Sequence, residues 1–136
     1  NLQDDRTLAA RGVEAFLRAF ALTLPSGKQN SFAAHNPPGF VAFVVREATM
    51  PRNLAGAFER PIWIGNRKSL SGLSVEALLS KWEAFDRAFG RPRREWVSLL
   101  NLTDGEITYH KDALRTSLDE VLAAAMEGVR TLLKVS

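Results

Sequence analysis

Six consecutive residues, Phe40-Val-Ala-Phe-Val-Val45, are apolar and have strong strand propensity. An alternating pattern would mark a strand with one wet face. An unbroken run marks a central strand buried on both faces. Pro37-Pro38-Gly39 delimits it on one side and Arg46-Glu47 returns the chain to solvent on the other. At 136 residues, 46% apolar and 24% charged, the chain can form one domain with a real core around such a strand.

The flanking sequence supplies helices. Residues 5–22 carry Leu8, Val13, Phe16, Leu17 and Phe20 at a period near 3.6, with Asp4 or Asp5 as the expected cap and Thr7 as a competing start. Residues 49–72 are broken by Pro51, Gly56, Pro61, Gly65 and Gly72. Within them a short helix is predicted at Asn53–Glu59 and a short strand or packed edge at Ile62-Trp63-Ile64. Ser74 reads as the cap of a helix over 75–89, whose apolar face is Val75, Leu78, Leu79, Trp82, Phe85 and Phe89 and which Gly90 ends. Glu95–Leu100 is a second strand, and Asp104-Gly105 predicts a turn into a hairpin through Ile107-Thr108-Tyr109. Ser117-x-x-Glu120 is a capping box opening a final helix. The order, helix, loop, strand, irregular segment, helix, strand, helix, predicts an α+β fold in a single domain over 1–136, with helices packed on one sheet.

Several functions are excluded or weakened. With no cysteine, disulfides, thiolate metal sites and cysteine nucleophiles are absent. No apolar run approaches the roughly 20 residues that span a bilayer, so no membrane partner is expected and a cytoplasmic location fits. The formal charge of +3 and isoelectric point near 9.7 permit an anionic partner without demanding one. The chain begins at Asn1 inside what reads as a helix, and the expectation is the C-terminal portion of a longer subunit.

The chemistry-bearing stretch is the polar loop from Leu24 to Pro38, which collects Gly27, Lys28, Gln29, Asn30, Ser31 and His35. Gly27 allows backbone amides close to an anion. Lys28 supplies charge, and Gln29, Asn30 and Ser31 supply neutral donors suited to phosphate and ribose oxygens. Phe32 reads as an anchor to the core. Gly27-Lys28 is not a nucleotide-hydrolysing P-loop, because position 22 is Leu, position 29 is Gln, and the loop follows a helix. Arg67-Lys68 and Arg91/Arg93/Arg94 are loop clusters that are either solvated or in contact with phosphates or a neighbouring subunit. Trp63, Trp82 and Trp96 read as core. His35 and His110 lack metal-ligand spacing, no pair of carboxylates stands out, and no metal or cofactor is implied.

Pro25-Ser-Gly-Lys-Gln-Asn-Ser-Phe-Ala-Ala-His-Asn-Pro37, the strand that follows, Asn53-Leu-Ala-Gly-Ala-Phe-Glu-Arg-Pro61 and the helix ending at Phe89-Gly90 resemble the backbone subunit of the type I-E CRISPR surveillance complex Cascade, the CasC family. The resemblance runs from about Pro25 to Leu100 and is specific in the loop. It implies an RRM-like (ferredoxin-like) palm on a mainly antiparallel sheet and no catalytic activity of the subunit itself. It also implies copies assembled head to tail along a guide RNA, contacts with other Cascade subunits, and target DNA engaged through the guide in antiviral defence. Of the family's RNA contacts, Lys28 carries over directly, with Gln29 and Asn30 beside it. Gly27, Ser31, His35, Arg67 and Lys68 complete the RNA-binding candidates. The alternatives are a structural protein-interaction domain and an enzyme acting on phosphorylated substrates.

Overall fold

The computed structural model describes residues 1–23, 37–47, 51–63, 65 and 68–136. The elements are α1 (Leu2–Leu22), β1 (Phe40–Arg46), a 3-10 turn at Leu54–Phe58, α2 (Leu70–Phe89), β2 (Glu95–Asn101), a 3-10 turn at Lys111–Ala113, β3 (Leu114–Arg115) and α3 (Leu118–Leu133). The sheet order is β1-β2-β3. β1 and β2 run antiparallel in full register from Phe40↔Asn101 to Arg46↔Glu95, and β3 adds a two-residue parallel pairing to β2. The fold is α+β, as predicted.

β1 is covered on both faces, as its unbroken apolar run requires. Val41, Phe43 and Val45 face α1 and α3, meeting Leu17, Ala21, Val121, Leu122 and Ala125 together with Leu100 of β2. Phe40, Ala42 and Val44 face α2, meeting Val75, Leu79 and Trp82 together with Val97 and Leu99. Alternation along a strand sends neighbouring side chains to opposite faces, so one apolar hexapeptide serves two cores. Buried Ser98 donates its hydroxyl to the Val121 carbonyl at 2.9 Å, which satisfies the one polar side chain placed between sheet and α3 on that strand.

Several boundaries differ from the sequence expectation, each for a local reason. α1 is capped by Asn1, whose side chain accepts from the backbone of Gln3 and Asp4 while Asp4 reaches back to complete the box. α2 starts at Leu70, not after Ser74. The Ser69 hydroxyl accepts from the Gly72 N–H at 3.0 Å, and the Asp104 carboxylate fixes Ser69 by accepting its N–H at 2.8 Å. Ser74 instead donates to the Leu70 carbonyl at 2.7 Å, a bond made inside the helix. Residues 107–109 form no hairpin. Asn101 turns the chain by accepting from Thr103 and donating to the Gly105 carbonyl, after which Ile107 and Tyr109 pack on the α2 side and β3 returns parallel to β2. α3 begins where predicted, with Ser117 accepting from the Glu120 N–H, but the Glu120 carboxylate accepts from Thr116 rather than Ser117.

The aromatic assignments divide. Trp82 is fully buried and Trp96 packs on α3, but Trp63 is 87% exposed, and Ile62 and Trp63 are not in a strand. Ile64 lies outside the described residues. Leu8, Phe16 and Phe20 of the predicted α1 stripe are exposed; Ala10 and Ala21 are buried instead, with Leu17 packed against the core. α1 packs mainly on α3, which admits a narrow strip of small residues, and exposed ion pairs Arg18–Asp119 (2.8 Å) and Glu14–Arg130 (3.6 Å) flank that contact. Among the described residues no helix is long and apolar enough to cross a membrane.

α3 comes close to β2 at Gly128, where an added Cβ would lie 2.7 Å from Cδ2 of the Trp96 indole. Gly128→Ala must displace that ring or α3 and is expected to lower unfolding free energy by about 1–3 kcal/mol, read by chemical denaturation.

Candidate functional site

The polar loop joins the end of α1 to the start of β1. Gly27, Lys28, Gln29, Asn30, Ser31 and His35, with Phe32, lie outside the described residues, as does Arg67. The stems are described. The Thr23 N–H donates to the Ala19 carbonyl at 2.7 Å, closing α1. Phe20, Ala21, Thr23, Pro38 and Phe40–Phe43 border a groove of about 210 Å³ between the stems. The helix and the central strand therefore hold both ends of the candidate loop, and each is anchored in the same core cluster through Ala21, Val41 and Phe43.

Lys68 is the one predicted RNA-binding residue that is described. Its ammonium donates to the Glu76 carboxylate, which also accepts the Glu106 N–H at 2.7 Å. That hydrogen bond, with the charges of Glu76, Glu106 and Asp104, raises the lysine's pKa, and Lys68 lowers that of Glu76 in return. The ammonium thus sits among three carboxylates at the α2 N-terminus.

A second constellation was not legible as a motif. Asp86 on α2, Glu95 at the start of β2 and His110 each place a ligand-type atom within 4.8 Å of the others. The side chains of Asp86 and Glu95 are 3% exposed. Three guanidinium groups surround them. Arg52 Nη1 lies 2.9 Å from Asp86 Oδ1, Arg46 Nη2 lies 3.3 Å from Glu95 Oε1, and Arg91 donates to Glu95 Oε2 at 3.1 Å. Tyr109 donates its hydroxyl to Asp86 Oδ2 at 2.8 Å, and Arg52 also donates to the Gly90 carbonyl at the end of α2. The Arg52–Asp86 and Arg46–Glu95 contacts are Coulombic without hydrogen-bond alignment, and among the described residues His110 Nε2, 4.0 Å from Asp86, has no hydrogen-bond partner. The donor set is of a kind that holds divalent cations, but three guanidinium charges already compensate two carboxylates. The arrangement is an ion network that ties the end of α2 to β1, β2 and the segment entering the 3-10 turn. Arg91, expected in a loop cluster, belongs to it. Its one sequence signal is Asp86 itself, an acid at a core position in the series Val75, Leu79, Trp82, Asp86.

His110 holds a left-handed backbone at φ 55°, buried against Trp82 and Tyr109 with ring centroids 4.6 and 4.1 Å away. Burial first, and Arg91 next, push its pKa below the ordinary value, against the opposing charges of Glu95, Asp86 and Asp112. Burial and the bond to Asp86 push Tyr109 up to about 12. Both rings are therefore neutral in the folded chain near pH 7.

A model of the CT1975-like protein family matches residues 1–124. Among solved structures, a chain of a "CRISPR RNA-guided surveillance complex" superposes with a TM-score of 0.74 at 25% identity, covering 89% of this chain and 45% of that one. A chain of a "CRISPR RNA-guided surveillance complex, pre-nicking" superposes with a TM-score of 0.75 at 24% identity, covering 92% of this chain and 36% of that one. The chain thus spans less than half the length of these solved chains. No curated protein sequence matches.

The depressed His110 pKa makes a signed prediction. Unfolded, the imidazole takes up a proton near its ordinary value of 6.5; folded, it resists until lower pH. The neutral-His stabilisation is complete above about 6.5 and is lost as pH falls toward the folded value. Glu76, Asp104 and Glu120 are carboxyls held below their ordinary values of 4.5, 3.8 and 4.5, so their losses come at lower pH. His110→Asn, which keeps a left-handed-tolerant residue, is expected to flatten the fall in melting temperature between pH 7 and 5. An unchanged slope would assign that fall elsewhere.

Proposed function

The chain belongs to the CT1975-like protein family, and we propose that it is a non-catalytic, guide-RNA-binding part of the backbone subunit of a CRISPR surveillance complex. The observation that carries this reading is the structural match, at 25% identity over most of this chain, to a chain of a complex that is RNA-guided by its own description. The loop chemistry supports it independently. Lys28 provides the charge, Gly27 the close backbone approach, and Gln29, Asn30 and Ser31 hydrogen bonds to phosphate and ribose. His35 and Arg67 extend the contact surface. Lys68 adds a weaker one, because Glu76, Asp104 and Glu106 cancel much of its field.

In this reading the protein grips backbone atoms and leaves base edges for pairing, so target DNA is engaged through the guide. Other copies of the subunit and other Cascade components are its protein partners. The rigid stems matter physically. A loop anchored at Ala21 and at Val41 loses less conformational entropy on binding than a free one of the same length.

Lys28→Ala in the complete subunit is expected to weaken binding of unrelated single-stranded RNAs about equally and to reduce the salt-dependence slope by about one. Lys68→Ala should do the same more weakly. Unchanged affinity and slope in Lys28→Ala would remove that residue from the interface.

A further inference from the structure

Beside the buried ion network is a cleft of about 430 Å³, whose walls include Arg46, Pro51, Arg52, Phe85, Phe89 and Arg91. Phe85 and Phe89 lie one turn apart at the end of α2, their rings 6.0 Å apart and inclined by 34°. Phe89 is 75% exposed, so its ring is open to a ligand entering the cleft.

The charges here are sorted by depth. Asp86 and Glu95 are withdrawn from solvent, whereas the Arg91 side chain is 52% exposed and Arg93 and Arg94 beside it are exposed. Arg94 makes an exposed contact with Glu47 at 3.5 Å and lies 5.6 Å from the Trp96 ring centroid. Solvent therefore meets aromatic carbon rimmed by cations. Arg46 faces Glu95, and Arg52 faces Asp86 and donates to the Gly90 carbonyl, so both guanidinium groups are engaged internally and ring faces are the main surface they leave open in the cleft. A flat, largely uncharged π-system attached to an anion fits that surface; an acidic side chain, needing free donors within, fits it less well.

We propose that this cleft stacks one nucleobase of single-stranded RNA on Phe89, with the adjoining phosphate at the half-exposed Arg91 on its rim. The proposal rests on the RNA-binding reading above and adds to it a base-stacking subsite on α2, remote in sequence from the loop.

The test uses the complete subunit and short single-stranded RNAs carrying 2-aminopurine at successive positions. Binding should quench fluorescence most at a recurring position. Phe89→Ala should abolish that quench and weaken binding about tenfold. Because no charge is removed, the salt slope should stay unchanged, unlike the Lys28→Ala result. Phe89→Trp should restore both quench and affinity. Phe89 is exposed, so circular dichroism should show each variant folded. If the wild-type protein binds RNA but Phe89→Ala binds equally well with the same quench, the stacking site is overturned and the loop reading survives. If Phe89→Ala loses a protein neighbour in the assembled complex while RNA affinity holds, the cleft is a protein-docking surface and the proposal is again overturned. If the wild-type subunit binds no RNA, both readings fall.

Discussion

The fold depends on β1 having no wet face. Its alternate side chains enter two separate hydrophobic clusters, one with α1 and α3 and the other with α2. A single strand cannot place six apolar side chains in water without losing the burial that stabilises it, at about 25 cal/mol per Å². Helices must therefore close on both sides, and β2 must pair along the full strand to satisfy its backbone. The two ends of the candidate loop inherit their positions from this. The loop connects an α1 whose last buried residue, Ala21, lies in the same cluster as Val41, and so its stems are set by packing rather than by the loop's own chemistry.

Polar interactions refine what packing begins. Asp104 holds Ser69 at the start of α2, and Arg52 binds the Gly90 carbonyl at its end while facing Asp86. Each connects a helix terminus, where backbone groups lack intrahelical partners, to a distant part of the chain. The Asp86–Glu95 network is costly to assemble because its ions leave water, and breaking one pair would strand the other charge. Its consequence for the surface is a separation of sign: acids inside, guanidinium groups and aromatic rings outside. A basic and aromatic rim arises here in a chain whose formal charge is only +3.

These features agree with membership of the CT1975-like family and with the superposition on chains of CRISPR surveillance complexes. They also give the two halves of the proposed RNA contact different physical characters. In that proposal the residues from Gly27 to Ser31 would supply charge and hydrogen bonds to the RNA backbone, which salt weakens. The α2 cleft offers ring area, which salt screens little.

Sequence alone determined the elements whose cause is local. The unbroken run at Phe40–Val45, the second strand, Gly90 at the end of α2, where φ is positive, and Ser117 at the start of α3 each follow from side-chain pattern or backbone sterics within a few residues. The family resemblance in the loop was likewise a property of contiguous residues. Tertiary structure decided what depends on distant partners. Ser69 displaced Ser74 as a cap because Asp104, 35 residues away, reaches it. Residues 107–109 left the hairpin register, and Ile107 and Tyr109 pack instead on the α2 side. Trp63, Phe16 and Phe20 stayed in solvent although their type favours burial, because hydrophobicity specifies a preference and not a neighbour. Asp86, Glu95 and His110 converge from three segments with no spacing rule to announce them, since charge pairing acts through space and leaves only one trace in the sequence, an acid on the buried stripe of α2.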